Sequence, residues 1–142
     1  MKHGILATVL ALSLITPIAS ALAQTGAATT SLGSVTLSRK VTADGQPLAA
    51  GTYQVRLTTE QPRGVVGQTP EAERYVEFVR GGKVVGRELA TIVSDADAKS
   101  VLKMGSPAPG AVRVELLKGD DYIRVWINRG GNNYIIHLPP AA

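Results

Sequence analysis

From Ser34 onward apolar and polar positions alternate with a period of two, and no long stretch carries the 3.6-residue period of an amphipathic helix. Val35–Val41 places Val35, Leu37 and Val41 on one face and Thr36, Ser38 and Lys40 on the other. Arg39 interrupts the apolar face and marks an edge or a strand end. Thr52–Thr58 is cleaner, with Tyr53, Val55 and Leu57 against Gln54, Arg56 and Thr58. Between them, residues 42–51 hold Asp44-Gly45 and Pro47 and read as a connection. Arg74–Arg80 and Lys83–Val93 are two further strands around a Gly81-Gly82 turn. Residues 59–73, with Pro62, Gly64, Gly67 and Pro70, form the longest irregular stretch and a second candidate for function. Residues 94–97 read as a loop or a single helical turn, with Ser94 as its candidate cap. Ser100–Met104 reads as a short strand, and 105–110, with Pro107 and Pro109, as a loop.

The last third predicts its own pairing. If Gly119-Asp120 and Gly130-Gly131 are both two-residue hairpin loops, Leu116 faces Ile123, Val114 faces Val125 and Val112 faces Ile127. The second hairpin then sets Ile127 against Tyr134, Val125 against Ile136 and Ile123 against Leu138. Every pair is apolar. The opposite face carries Glu115–Arg124–His137 and Arg113–Trp126–Ile135. A slip of one residue would scramble both faces, so the two turns together specify a three-stranded meander at 112–138. The whole pattern is all-β: an antiparallel β-sandwich of about seven or eight short strands, with a small barrel as the other closure of the same pattern.

Ahead of the alternating region the chain changes character. Lys2 and His3 precede a short apolar run, Gly4–Ile15, and Ala21-Leu22-Ala23 ends it. This is the pattern of a secretory signal-peptide helix at 1–23, with the mature chain starting at Gln24. Residues 24–33, QTGAATTSLG, read as a flexible leader, and 34–140 as one domain. The expected location is outside the cytoplasm, in a periplasm or released. The run is too short for a membrane span, and no later segment reaches that length.

The 119 residues after the signal suffice for a core without staples, and the chain has no cysteine. The mature net charge is +3, from 14 Lys+Arg against 11 Asp+Glu, and no run of four basic residues occurs. With one Phe, one Trp and four Tyr there is no basic, aromatic stripe for nucleic acid.

Residues 45–55, Gly-Gln-Pro-Leu-Ala-Ala-Gly-Thr-Tyr-Gln-Val, match G-x-x-L-x-A-G-x-Y-x-V. The pattern resembles the strand-leading motif of small exported bacterial β-sandwich domains, some transthyretin-like or immunoglobulin-like, many of no characterised family. Ala49 stands where a proline often precedes the Ala-Gly pair. The resemblance implies a fold and no activity.

Candidate chemistry is sparse. After signal removal His137 is the only histidine, and no G-x-S-x-G elbow accompanies it. One histidine and no cysteine cannot build a zinc site, and Asp95-x-Asp97 lacks the later ligands of a calcium loop. No catalytic residue, metal or cofactor is expected. The outer face of the meander carries the candidate ligand-binding set: Trp126, Arg124, Tyr122, Arg113 and His137. The expected function is a non-catalytic binding module of the cell envelope, its partner a protein or a glycan. One alternative is assembly by strand addition at an exposed edge such as Val35–Val41. Another is a carboxylate-based hydrolase using Glu77 and Glu88, which share a face if the Gly81-Gly82 hairpin is regular.

Overall fold

The structure is a computed structural model that describes residues 29–64, 72–101, 105–117, 119 and 122–142. The expected signal-peptide helix, most of the leader, residues 65–71 of the long loop, residues 102–104 of the strand expected at Ser100–Met104, and Lys118 and Asp120-Asp121 of the first meander turn lie outside these residues. The strands are β1 (Thr30–Leu37), β2 (Val41–Ala43), β3 (Gln46–Leu48), β4 (Gly51–Leu57), β5 (Glu73–Arg80), β6 (Lys83–Ser94), β7 (Val112–Leu116), β8 (Ile123–Arg129) and β9 (Asn132–Leu138). The single short helix among the described residues is α1 (Asp95–Val101). No helix among them is long and apolar enough to cross a membrane.

The all-β, antiparallel architecture is as the alternation predicts. Seven strands form one sheet in the order β1-β4-β5-β6-β9-β8-β7, and β2-β3 form a two-stranded ribbon. The outermost strands β1 and β7 approach each other. Gly33 lies beside Val112 and the Arg129 guanidinium, so the sheet curls around its own apolar face. Val35, Leu37, Tyr53, Val55, Val76, Phe78, Ala90, Val125, Ile127, Ile136 and Leu138 fill that face, and the ribbon adds Val41, Ala43 and Leu48 to the same core. A Cβ on Gly86 would sit 3.3 Å from Leu48 Cδ1 and 3.5 Å from Ala43 Cβ, so a glycine is what lets the ribbon settle on β6. The C-terminal tail ties the ribbon down: Thr42 N–H donates to the Pro139 carbonyl at 2.7 Å, and Val41 bridges Pro140.

The ribbon occupies the stretch read from sequence as a connection. Its turn, Asp44-Gly45, has positive φ at both residues (44° and 78°), the conformation that matches a two-residue hairpin to strand twist. Gly81-Gly82 (58°, 76°) and Gly130-Gly131 (62°, 79°) repeat it. Residues 45–55 follow the same logic. Leu48 is buried, the Ala49 carbonyl accepts the Tyr53 hydroxyl, and Gly51 (φ 144°) lies under the Arg80 guanidinium. Tyr53 then meets Phe78 edge-on at 6.1 Å.

Three expectations are corrected. β1 begins at Thr30, inside the expected leader, and a bulge between Ser31 and Gly33 turns Leu32 into the core at 1 % exposure. Ser100 and Val101 belong to α1, not to a strand; Ser94 caps it, its Oγ accepting the Asp97 N–H at 3.2 Å and donating to the Asp97 carboxylate at 2.7 Å. Glu77 and Glu88 lie on opposite faces of the sheet. A bulge in β6 after Val84 pairs Glu77 with Arg87 and Val76 with Glu88. Glu77 bonds Arg56 at 3.4 Å, while Glu88 accepts the Asp44 N–H at 2.7 Å and so secures the ribbon's turn.

Candidate functional site

The meander forms in the expected register, pair by pair, on both faces. The outer face carries Arg113, Glu115, Arg124, Trp126, Asn128, Asn133, Ile135 and His137, because each is the in-register neighbour of the next across β7, β8 and β9. On this face Glu115 is the hinge of an ion-pair cluster. It accepts from Arg124 Nε at 2.9 Å and from Arg113 at 3.4 Å. Both guanidinium groups flank the Trp126 ring, at 5.5 Å for Arg113 and 5.7 Å for Arg124.

Trp126 itself is 1 % exposed. It presents no open stacking face; it is the floor on which the two arginines rest. Its indole N–H donates to Asn133 Oδ1 at 2.8 Å, and Asn133 Nδ2 donates to Asp95 Oδ1 at 2.8 Å. Asn133 is fully buried. This relay joins the meander to the first residue of α1, and the Asp95 N–H closes it by donating to the Gly131 carbonyl at 3.1 Å. Of the expected residues, Arg113 and Arg124 each lie over the Trp126 ring and bond Glu115, and His137 is the cross-strand neighbour of Arg124. Tyr122 stands exposed just ahead of β8.

Beside this cluster lies a groove of about 370 Å³, lined by Asp95 and Lys99 of α1, by Ser106–Pro109 and by Asn128. The loop is held in place by Arg113, which donates to the Gly105 carbonyl at 2.9 Å, and by Asn128 Nδ2, which donates to the Pro107 carbonyl at 2.9 Å. That second bond fixes the orientation of the Asn128 amide. The residue is 4 % exposed, and its Oδ1 has no hydrogen-bond partner among the described residues. A buried acceptor left unpaired costs about 1–3 kcal/mol. Sequence reading took Asp95 and Lys99 only as parts of a rejected calcium loop, and passed over Ser106, Asn128 and Asn133. The available signal was the register itself, which sets Asn128 opposite Asn133 beside Trp126.

Two titrations bear on the face. Burial raises the Glu115 carboxyl, but the hydrogen bonds and charge of Arg124, then Arg113, outweigh it and hold it below its ordinary 4.5. Burial, and after it the charge of Arg124, hold the His137 imidazole below its ordinary 6.5. The stability Glu115 contributes is therefore present above its ordinary value and lost as pH falls through its folded value. For His137 the fold disfavours the proton, so stability begins to fall as pH drops below 6.5. The melting temperature is expected to decline in two limbs on acidification. His137→Gln should flatten the limb just below 6.5 and Glu115→Gln the lower one. Unchanged profiles in both variants would remove the face from the protein's acid response. Among the described residues no three His, Cys, Asp or Glu side chains cluster as metal ligands.

Comparison of the chain with protein families, with curated proteins and with solved structures finds no match.

Proposed function

We propose that the protein is an exported, non-catalytic binding module of the cell envelope, and that its ligand seats in the groove between α1, the 105–110 loop and the meander. The observation that carries this reading is the groove itself, about 370 Å³ and lined by the charged Asp95 and Lys99 of α1 and by Ser106, Pro107, Ala108 and Pro109 of the neighbouring loop. The signal-peptide pattern at 1–23 and the resemblance of residues 45–55 to exported β-sandwich domains point the same way. Arg113 borders the groove through its bond to the Gly105 carbonyl, and Trp126 reports on the groove through Asn133 and Asp95; Arg124, His137 and Tyr122 lie toward the other end of the outer face.

The test separates a binding role from a structural one. Asn128→Leu removes a groove-lining side chain together with its bond to the Pro107 carbonyl, and should lower the unfolding free energy by about 1 kcal/mol. The same variant should lose the protein's response to a cell-envelope extract, read as Trp126 emission and as shifts of the Asn128 and Asn133 side-chain amides in nitrogen-15 spectra. A loss of about 3 kcal/mol in Asn128→Leu with the response to extract intact would assign Asn128 to structure and sink the reading.

Assembly through a sheet edge is a second reading with one observation behind it. Val114 and Leu116, on the core-facing side of edge strand β7, are 37 % and 46 % exposed. The edge at β1 is less inviting, because Val35 and Leu37 are each 1 % exposed.

A further inference from the structure

We infer that edge strand β7 pairs antiparallel with β7 of a second copy of this chain, about a two-fold axis at Val114, an inference that rests on the edge-assembly reading above. β7 ends the sheet: β8 is its one hydrogen-bonded neighbour among the described strands, and β1 comes near it without pairing. The ladder to β8 shows which main-chain groups are left over. The Asn128 N–H donates to the Ala111 carbonyl, and the Leu117 N–H donates to the Tyr122 carbonyl. Positions 111 and 117 therefore turn toward β8, and by the alternation of an antiparallel pair so do Arg113 and Glu115. The N–H and C=O groups of Val112, Val114 and Leu116 point the other way, to the open edge. β7 carries none of the usual devices that blunt an edge: it has no proline, no lysine and no bulge. β1, at the opposite end of the sheet, has a bulge between Ser31 and Gly33.

The strand is complementary to itself. A two-fold axis normal to the sheet at Val114 overlaps all 5 residues of β7. It sets Val112 against the partner's Leu116, Val114 against the partner's Val114, and Arg113 against the partner's Glu115. Val112, Val114 and Leu116 are the residues with open main-chain groups, so each of their pairs can exchange both hydrogen bonds. The pairs between them are of the non-hydrogen-bonded kind, whose side chains lie closest, and these are the pairs of opposite charge. Moving the axis by one residue, to Arg113 or to Glu115, sets like charges face to face and shortens the overlap. Charge therefore selects the register. In it Glu115, already bonded to Arg124 at 2.9 Å, gains the partner's Arg113, and the ion-pair row of the meander continues across the axis. On the core-facing side the same pairing covers Val114 and Leu116, both exposed in the single chain.

The experiment is sedimentation velocity of the purified protein over a hundredfold range of concentration, alongside Val114→Lys, Val114→Glu and an equimolar mixture of the two. Val114 is exposed, so both variants should keep the native Trp126 emission and unfolding midpoint. The expected result is a reversible dimer. It should weaken tenfold or more in each variant alone, where like charges meet on the axis, and return in the mixture, where opposite charges meet. A cross-link reads the register without the charged variants, because the chain has no cysteine of its own. Residues facing each other in a hydrogen-bonded pair are about 5.5 Å apart at Cα. A short bifunctional thiol reagent should therefore link two copies of Val114→Cys. It should not link two copies of Leu116→Cys, which the register holds four residues, at least about 13 Å, apart. A monomer at every concentration, a dimer indifferent to both charges, or a faster link through Leu116→Cys would overturn the inference. If the protein stays monomeric while a cell-envelope extract shifts the main-chain amide resonances of Val112, Val114 and Leu116, the edge takes a different strand and only the second copy is lost. If those resonances ignore the extract as well, the edge-assembly reading falls with it.

Discussion

Replacement of Asn133 by leucine is expected to lower the unfolding free energy by about 3 kcal/mol, although the two side chains are close in size. Asn133 is fully buried and satisfies two partners at once, the Trp126 indole N–H and the Asp95 carboxylate, each at 2.8 Å. Leucine leaves both without a partner. Their fates differ. Asp95 borders the groove and can recover water there, so its share of the loss is the smaller. The indole N–H sits in a ring that is 1 % exposed, under two arginines, and has no second acceptor within the relay. Most of the cost lies with it. With a urea slope of about 1–2 kcal/mol per molar, the unfolding midpoint should fall by about 1.5–3 M. A double-mutant cycle isolates the cause. Trp126→Phe removes the donor, so Asn133→Leu in that background should cost at least about 1 kcal/mol less than in the native chain. Strict additivity would show that the bond between them contributes nothing and that leucine is merely misfitted.

What the chain discloses in advance follows from how far each local signal reaches. The meander was legible because two glycine-bearing turns, assigned independently, set one apolar face across three strands. The structure keeps all ten predicted pairs. The β5–β6 hairpin has an equally legible turn, Arg80 opposite Lys83. Its register is shifted by a bulge that no residue type announces, and that one residue moves Glu88 to the face opposite Glu77. The ribbon escaped because strands of three residues are too short to show a period. Pro47, which reads as a breaker, is tolerated on a two-stranded edge. Trp126 was rightly placed on the outer face, but alternation says which side of a sheet a residue takes and nothing about what covers that side. Here Arg113 and Arg124 lie over the ring, and Asn133 ties its N–H to Asp95 at the start of α1. Asn128 and Asn133 carry no hydropathy signal, so only the register, read for polar pairs as closely as for apolar ones, marks them.

The largest loss of stability is expected at Phe78. Phe78→Ala should cost about 3–5 kcal/mol, a large part of the about 5–15 kcal/mol that holds a domain of this kind folded. The ring is completely buried and lies in register with Gly86 on the neighbouring strand. A strand glycine leaves a gap on the sheet surface, and an aromatic ring opposite fills it. Tyr53 closes one side of the ring, edge-on at 6.1 Å and an interplanar angle of 89°. Leu48 and Ala43 of the ribbon cover Gly86 itself. Shrinking the ring therefore opens a cavity where β4, β5, β6 and the ribbon meet, and the collapse that would refill it is opposed on every side. The ribbon is tied by the Thr42–Pro139 bond, its turn by Glu88, and Tyr53 by the Ala49 carbonyl. Sites that cannot relax sit at the upper end of the range for such truncations. Phe78→Leu, which retains most of the volume, should lose no more than about 1.5 kcal/mol. Urea unfolding followed by Trp126 emission measures both, since Trp126 lies on the other face of the sheet and is not part of the cavity. A loss below about 1 kcal/mol in Phe78→Ala would mean that the ribbon closes onto the sheet freely, and that the core is not built around this contact.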